Sequence, residues 1–407
     1  MAKPTDDNKA PAKTPPQPKT PAQPEAVLTR RGAQRVRGLH PWIYRSDVQS
    51  VRAAGGDLVR VKGPRGREVG YALYSDASQI ALRRFAGRGP RPGREVWRDR
   101  LEAAIAYRHS LQIDADAYRL VHAEADGLPA LIVDRYADCL VVQLLTQGVD
   151  RGSDEIVELL VELLEPTGIL ARNDRRVREL EGLERRIDVL YGEVPSRVRI
   201  RDGAAHLEVD LRSGQKTGLF LDQRENRAAA RDYAHGRLLD CFSYHGAFAL
   251  QLAARCDEVI ALDISEDAVA AIQRNAAINE VALEARCVNA FDHLRELSDR
   301  GETFDTIVLD PPAFAKNKAA LKGALGGYKE INLRALKLLR PGGHLVTSSC
   351  SYHVGDTAFL GVIEAAAADV GAELVLVERR GQSRDHPVRI GMPESRYLKC
   401  MILRKRA

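Results

Sequence analysis

At 407 residues the chain exceeds one ordinary hydrophobic core, so two or three domains are expected. No run approaches about 18 consecutive apolar residues and the amino terminus lacks an apolar signal core, which argues against a membrane span and against export. The six cysteines (Cys139, Cys241, Cys256, Cys287, Cys350 and Cys400) contain no CxxC pair, so neither a disulfide framework nor a Cys-cluster metal site is expected. A cytoplasmic protein with reduced thiols and no metal fits this pattern. The net charge of +5 is unevenly spread: residues 26 to 110 hold 18 Lys/Arg against 7 Asp/Glu. A basic amino-terminal module on an acidic body points to a polyanionic partner.

Residues 1–25 hold seven prolines among Lys, Ala, Thr and Gln with no apolar periodicity, the signature of a disordered tail. From Val27 to about Trp97 short strands alternate with turn signals, among them Leu58 to Val61, Gly63-Pro64-Arg65-Gly66 and Val69 to Tyr74. This predicts a small β-rich module over 26–97. Its opening run places Arg30, Arg31, Arg35 and Arg37 near Trp42, a composition suited to phosphate contacts and base stacking and equally to core aromatics under surface arginines. A helix over Trp97 to Leu111, strands at 130–134 and 139–145, a helix carrying Ile156, Leu159, Leu160 and Leu163, and a strand at 168–172 predict an α+β unit over 98–190. Arg197 to Ile200 and His206 to Leu211 flank Arg201-Asp202-Gly203, a hairpin connector over 191–212.

The remainder, 213–407, is organised by four apolar runs: Leu238 to Asp240, Val259 to Asp263, Thr306 to Asp310 and His344 to Ser348. Their alternation with helix-period segments predicts a doubly wound parallel α/β sheet, which binds ligands beyond the carboxyl ends of its strands. Chemistry is therefore expected at Asp240, Asp263, Asp310 and just after Ser348. The turn Phe242-Ser243-Tyr244-His245-Gly246 lets backbone approach a ligand, and Asp263, 23 residues after Asp240, stands where an acid binds ribose hydroxyls. Asn289 and Asp292, closing a third strand, are candidates for the adenine side. Lys216, Asp222 and Gln223 lie in a polar segment expected to fold over the other end of the cofactor.

A G-x-G-x-x-G run is absent, which disfavours a dinucleotide. Asp310-Pro311-Pro312-Ala313-Phe314 suits S-adenosylmethionine chemistry, because the prolines stiffen a strand-end turn whose acid and carbonyls can meet a planar base. Cys350, just past the strand neighbouring the one that ends at Asp310, is a candidate nucleophile if its surroundings lower its pKa. Carbon 5 of cytosine requires such a thiol: addition at carbon 6 makes the ring enamine-like.

At these motifs the chain resembles the ribosomal RNA large-subunit methyltransferase I family of cytosine carbon 5 methyltransferases. The resemblance rests on Arg37 to Trp42, Glu124 to Pro129, Gly214 to Arg227, Asp310 to Phe314 with Tyr328 to Asn332, and Ser349-Cys350-Ser351; Asp385-His386-Pro387 also fits. It extends from about Leu28 to Leu403. It implies an amino-terminal PUA RNA-binding domain, a small central α+β domain and a Rossmann-like methyltransferase domain acting on 23S ribosomal RNA. Cys350 would be the nucleophile, Asp310 the base-orienting acid, Asp263 the ribose ligand, and Asn289 with Asp292 the adenine contacts. Where relatives carry Gly-Gly, this chain has Gly246-Ala247, acceptable if Ala247 keeps a negative φ. The base that removes the carbon 5 proton is unassigned among Asp310, Lys316 and His353. Methylation of a guanine or adenine nitrogen, and a non-catalytic RNA-binding or ribosome-assembly role, are the alternatives; homodimerisation is left open.

Overall fold

The computed structural model describes residues 23–315 and 318–406, so Lys316 and most of the proline-rich tail lie outside the described residues. An amino-terminal six-stranded sheet runs in the order Trp42–Ile43, Leu82–Ala86, Glu68–Tyr74, Leu58–Lys62, Glu25–Leu28, Val48–Arg52. Its first strand begins at Glu25, within the last residue of the expected tail. The Arg-rich opening run, read as part of a strand-and-turn module, is a helix over Arg30–Arg37. Thr29 explains it: as N-cap its hydroxyl accepts from the Gly32 N–H at 3.1 Å, and Arg35 and Arg37 sit in the last turn, where positive charge suits the helix dipole.

A second, five-stranded sheet has the order Arg186–Gly192, Gly168–Asn173, Cys139–Leu144, Leu131–Tyr136, Ala117–His122. The helices Arg94–Ser110 and Ser153–Leu164 bury Leu101, Ala104, Ile156, Leu159 and Leu160 with this sheet. Its outer strand Arg186–Gly192 had no counterpart in the sequence reading and runs across residue 190, where the central unit was expected to end. The hairpin Arg197–Asp202 with Ala205–Asp210 follows, its first strand continuing through Asp202 so that the turn is Gly203-Ala204.

The third sheet has seven strands: β1 (Arg237–Cys241), β2 (Glu258–Asp263), β3 (Glu284–Cys287), β4 (Phe304–Leu309), β5 (Leu339–Ser349), β6 (Leu374–Arg380) and β7 (Lys399–Lys405), in the order β3-β2-β1-β4-β5-β7-β6. Helices cover both faces, and alternate residues of each strand serve opposite sides. Leu239, Ile307, Leu309 and Leu345 join one core, while Leu238, Val308 and Val346 join the other. The expected parallel sheet holds for β1 to β5, but β7 inserts antiparallel beside β5 and β6 pairs antiparallel with β7. Register places Cys241 opposite Leu309 and Leu309 opposite Thr347, so β1 and β4 end at one level, β5 runs two residues further, and the turns that follow face one crevice.

Candidate active site

The turn after β1 is built from unusual backbone. Phe242 and Tyr244 hold φ of 64° and 53°, left-handed values that cost a side-chain-bearing residue about 1–3 kcal/mol each unless the surroundings enforce them. Asp240 supplies that enforcement: its Oδ2 accepts from Ser243 Oγ at 2.5 Å and from the Ala249 N–H at 3.0 Å. Burial pushes its carboxyl up to about 7. Asp240 is 1% exposed and absent from the cavity wall, so the chemistry expected there is replaced by a pinning role. Ala247 begins the helix Ala247–Ala253 outside the left-handed region, which removes the steric objection to alanine after Gly246.

A cavity of about 300 Å³ opens beyond the strand ends. Phe242, Ser243, Asp263, Asn289, Asp310 and Cys350 line it, together with Lys216, Asp222 and Gln223 from the segment before β1. Asp263, ending β2, accepts from the backbone N–H groups of Tyr244 (2.9 Å) and Ser265 (3.0 Å). Asn289 lies two residues past β3 and caps the helix Ala290–Asp299, its Oδ1 accepting from the Phe291 N–H at 2.9 Å. That cap fixes the helical phase, so Asp292 faces solvent with Arg295 at 4.0 Å and does not reach the cavity. Phe291, the residue before Asp292, lines the cavity instead. Its ring is 6.3 Å from Phe242 and 5.9 Å from Phe314, and with exposed Ile264 it forms an apolar slot.

At the other end Lys216 Nζ meets Asp222 Oδ2 at 2.5 Å, and Tyr397 Oη donates to the same oxygen at 2.7 Å. Burial opposes the charge of Asp222, but Lys216 and His386 outweigh it and hold the carboxyl well below the usual range. Its other oxygen, Oδ1, is buried with no hydrogen-bond partner among the described residues. An unpaired carboxylate oxygen at the cavity wall suits an ammonium group. Gln223 Nε2 donates to Asp310 Oδ1 at 2.7 Å, its own amide oriented by Asn226 Nδ2, which donates to Gln223 Oε1 at 2.6 Å. Nothing in the sequence pattern marked Tyr397 or Leu398, which reach the site from the residues just before β7.

Cys350 follows β5 directly, with Sγ 3.9 Å from the carbonyl of Pro311 in the turn after β4. Burial, reinforced by Asp310, pushes its thiol up to about 11, while Lys216 and Lys399 pull in the opposite direction. Asp310 is itself raised to about 6, chiefly by burial. Lys399, buried and directly opposite Ser349 in the β5–β7 ladder, donates to the carbonyls of Ser351 (2.6 Å) and Tyr397 (2.8 Å), which fixes the chain on either side of the thiol. His353 is half-buried against Tyr352 and does not line the cavity.

The amino-terminal candidates are dispersed. Arg31 and Arg35 grip the buried carboxylate of Asp47 at 2.5 and 2.8 Å. Trp42 Nε1 donates to Glu124 Oε1 at 2.7 Å, beneath the guanidinium of Arg83. Arg30 and Arg37 are exposed. None of these five residues lines the cavity.

Residues 26–86 match the PUA-like domain family, and residues 176–399 match the S-adenosylmethionine-dependent methyltransferase family. Ribosomal RNA large subunit methyltransferase I of Tolumonas auensis is 41% identical over 90% of this chain and 95% of its own. The protein of the same name from Vibrio cholerae serotype O1 is 37% identical over 93% and 100%. The chain belongs to the ribosomal RNA large-subunit methyltransferase I family. Its fold is that of SMU.776, a putative methyltransferase complexed with SAH, with a TM-score of 0.81 at 19% identity, covering 94% of this chain and 99% of that one. Membership makes the protein an S-adenosylmethionine-dependent methyltransferase, and the cavity fits that cofactor: an acid at the end of β2, an apolar aromatic slot beside it and an unpaired carboxylate oxygen at the far end.

Proposed function

We propose that this enzyme methylates carbon 5 of a cytidine in 23S ribosomal RNA through a covalent adduct at Cys350. The observation that carries the reading is the meeting of Cys350 and Asp310 in the wall of the cavity that also contains Asp263. When bound, S-adenosylmethionine supplies an electrophilic methyl group. Asp263 would hold the ribose hydroxyls, Phe242, Ser243 and Asn289 the adenosine side, and Lys216, Asp222 and Gln223 the methionine end, while Gly246, which does not line the cavity, shapes the turn with its φ of 78°. As its thiolate, Cys350 would bond to carbon 6 of the target; carbon 5 would take the methyl group as the sulfonium leaves as a neutral thioether; and transfer of the carbon 5 proton to a base, Asp310 being the candidate that lines the cavity, would return electrons to the ring and break the S–C6 bond. Asp310, raised to about 6, changes charge near neutrality and can meet the polar edge of cytosine as donor or acceptor. The division into 26–97 for RNA binding, 98–190 as central unit, 191–212 as connector and 213–407 for methyl transfer belongs to the same reading.

The test is to incubate the enzyme with S-adenosylmethionine and large-subunit RNA carrying 5-fluorocytidine, whose carbon 5 has no proton to lose. A denaturant-stable adduct mapped to the Cys350 peptide is expected. Methyl transfer to ordinary RNA without an adduct on the analogue would instead indicate nitrogen methylation. Independently, Asp263→Asn is expected to weaken S-adenosylmethionine binding about 10- to 100-fold, the worth of charge-assisted hydrogen bonds, in calorimetry without RNA.

A further inference from the structure

Three guanidinium groups converge where the three sheets meet, and the chemistry described so far uses none of them. Arg84 lies on the strand Leu82–Ala86 and donates to the carbonyl of Val36 at 3.3 Å. Arg100, on the helix Arg94–Ser110, donates to the carbonyl of Phe85, the residue after Arg84, and to that of Gly127 at 2.5 Å. Arg389, in the segment between β6 and β7, donates to the carbonyl of Glu124, three residues before Gly127. The cations are thus tied to one strand and one turn. Their partners are carbonyls; among the described residues none of the three forms a salt bridge with a carboxylate. The nearby acid is already engaged, because Glu124 Oε1 accepts from Trp42 and from Arg83. All three side chains are half-buried, and after burial it is the charge of Arg389 that disfavours the charged forms of Arg84 and Arg100. Like charges held together without a counterion are a standing cost that an anion relieves.

Next to this cluster the surface is apolar. Ile390, adjacent to Arg389, is 83% exposed, and Leu39 is 60% exposed with a left-handed φ of 65°. The two belong to one step: a Cβ placed on Gly391 would stand 3.2 Å from Leu39 Cβ, and the neighbouring His40 and Glu394 are joined at 3.3 Å. A cationic seat beside an exposed apolar step matches the repeating chemistry of a single-stranded nucleic acid, alternately anionic and flat.

We propose that Arg84, Arg100 and Arg389 seat a backbone phosphate of single-stranded RNA, with an adjoining nucleobase resting on Leu39 and Ile390. The proposal rests on the RNA reading above and adds the place where the strand is held. This site, rather than the Asp47-bound arginines of the first helix, is the grip of the amino-terminal sheet on its substrate.

The probe is a fluorescein-labelled single-stranded RNA of about 15 nucleotides, followed by anisotropy at several potassium chloride concentrations. Each single-strand phosphate contact contributes about 0.7 to the slope of log affinity against log salt. The double variant Arg84→Gln with Arg389→Gln, which unseats that phosphate, is expected to lower that slope by about 0.7 and to weaken binding several-fold, whereas Arg389→Lys retains the slope. Leu39→Ser combined with Ile390→Ser is expected to weaken binding without changing the slope. A merely structural role for the arginines would leave the slope untouched, so a folded double Gln variant with the wild-type slope overturns the proposal. Should the double Gln variant not fold, phenylglyoxal labelling of the wild-type protein decides the matter: RNA must protect Arg84 and Arg389, and equal labelling with and without RNA overturns it. A wild-type protein that binds neither this oligonucleotide nor large-subunit RNA would overturn the RNA reading itself, a different failure from tight binding indifferent to these residues.

Discussion

Cys350→Ala is expected to abolish methyl transfer, by at least about four orders of magnitude, while leaving S-adenosylmethionine affinity within about twofold of wild type. The asymmetry follows from position. Cys350 touches the cavity beside Asp310, at the end of β5, whereas the acid and aromatic slot proposed for adenosine lie across it at the ends of β2 and β3. Removing one sulfur leaves Asp263, Asn289 and Asp222 with all their hydrogen bonds. The resting thiol is raised to about 11, so near neutrality it carries its proton and the reactive thiolate is scarce. Adduct formation on 5-fluorocytidine RNA should therefore accelerate as pH rises from about 6 to 8, approaching tenfold per unit where thiolate supply limits the rate. Asp310 also gains its charge as pH passes about 6, and Lys399, lowered to about 8 by burial, loses its own above that value. The rise should then soften beyond pH 8, as the buried cation that favours the thiolate titrates away. Single-turnover measurements across this range, with calorimetry on the alanine variant, check both parts. Turnover retained by the variant would remove the covalent mechanism.

The parts of the site legible in sequence are those where a strand ends. Asp263 and Asp310 each close an uninterrupted apolar run, and such runs arise because β1, β2, β4 and β5 are covered on both faces. Cys350 was found by the same logic, one residue past its strand. What escaped depends on contacts distant in sequence or on helical phase. Asp292 differs from Phe291 by a single step, and only the Asn289 cap determines which of them faces the cavity. Strand β6 alternates poorly and ends in Glu378-Arg379-Arg380, so its pairing with β7 has no local signature. The helix Arg30–Arg37 buries only Gly32 and thus offers no apolar stripe; Thr29 was its one local signal. Tyr397 reaches Asp222 across 175 residues of chain, a contact no pattern could disclose.

Asp385→Ala is expected to cost about 3–5 kcal/mol of stability at pH 7, the usual consequence of leaving one member of a buried ion pair alone. The Asp385 carboxylate is fully buried. It accepts from both terminal nitrogens of Arg224, at 3.0 and 3.1 Å, and from the backbone N–H of Arg119 at 2.8 Å. Arg224 belongs to the helix leading into β1, and Arg119 to the five-stranded sheet, so one side chain joins two sheets. The Asp385 carbonyl also accepts from Arg108 Nη2 at 2.8 Å. Burial alone would raise this carboxyl, but His386 and Arg224 hold it far below the usual range. A depressed folded-state pKa contributes stability that is complete above the unfolded carboxylate value of about 3.9 and drains away as pH falls below it. The gap between wild type and Asp385→Ala in urea titrations should hence be constant from about pH 5 to 8 and begin to narrow below about pH 4, by about 1.4 kcal/mol per pH unit. The cofactor site should register the change as well, because Ser383, two residues earlier, donates through its N–H and its hydroxyl to the Asp222 carbonyl, both at 2.9 Å. With that clasp loosened, Asp222 and its partners Lys216 and Tyr397 lose their fixed geometry, and S-adenosylmethionine affinity should fall even where the variant remains folded. An alanine variant of undiminished stability at pH 7 would mean that water reaches Arg224 and that the segment between β6 and β7 does not bind the two sheets together.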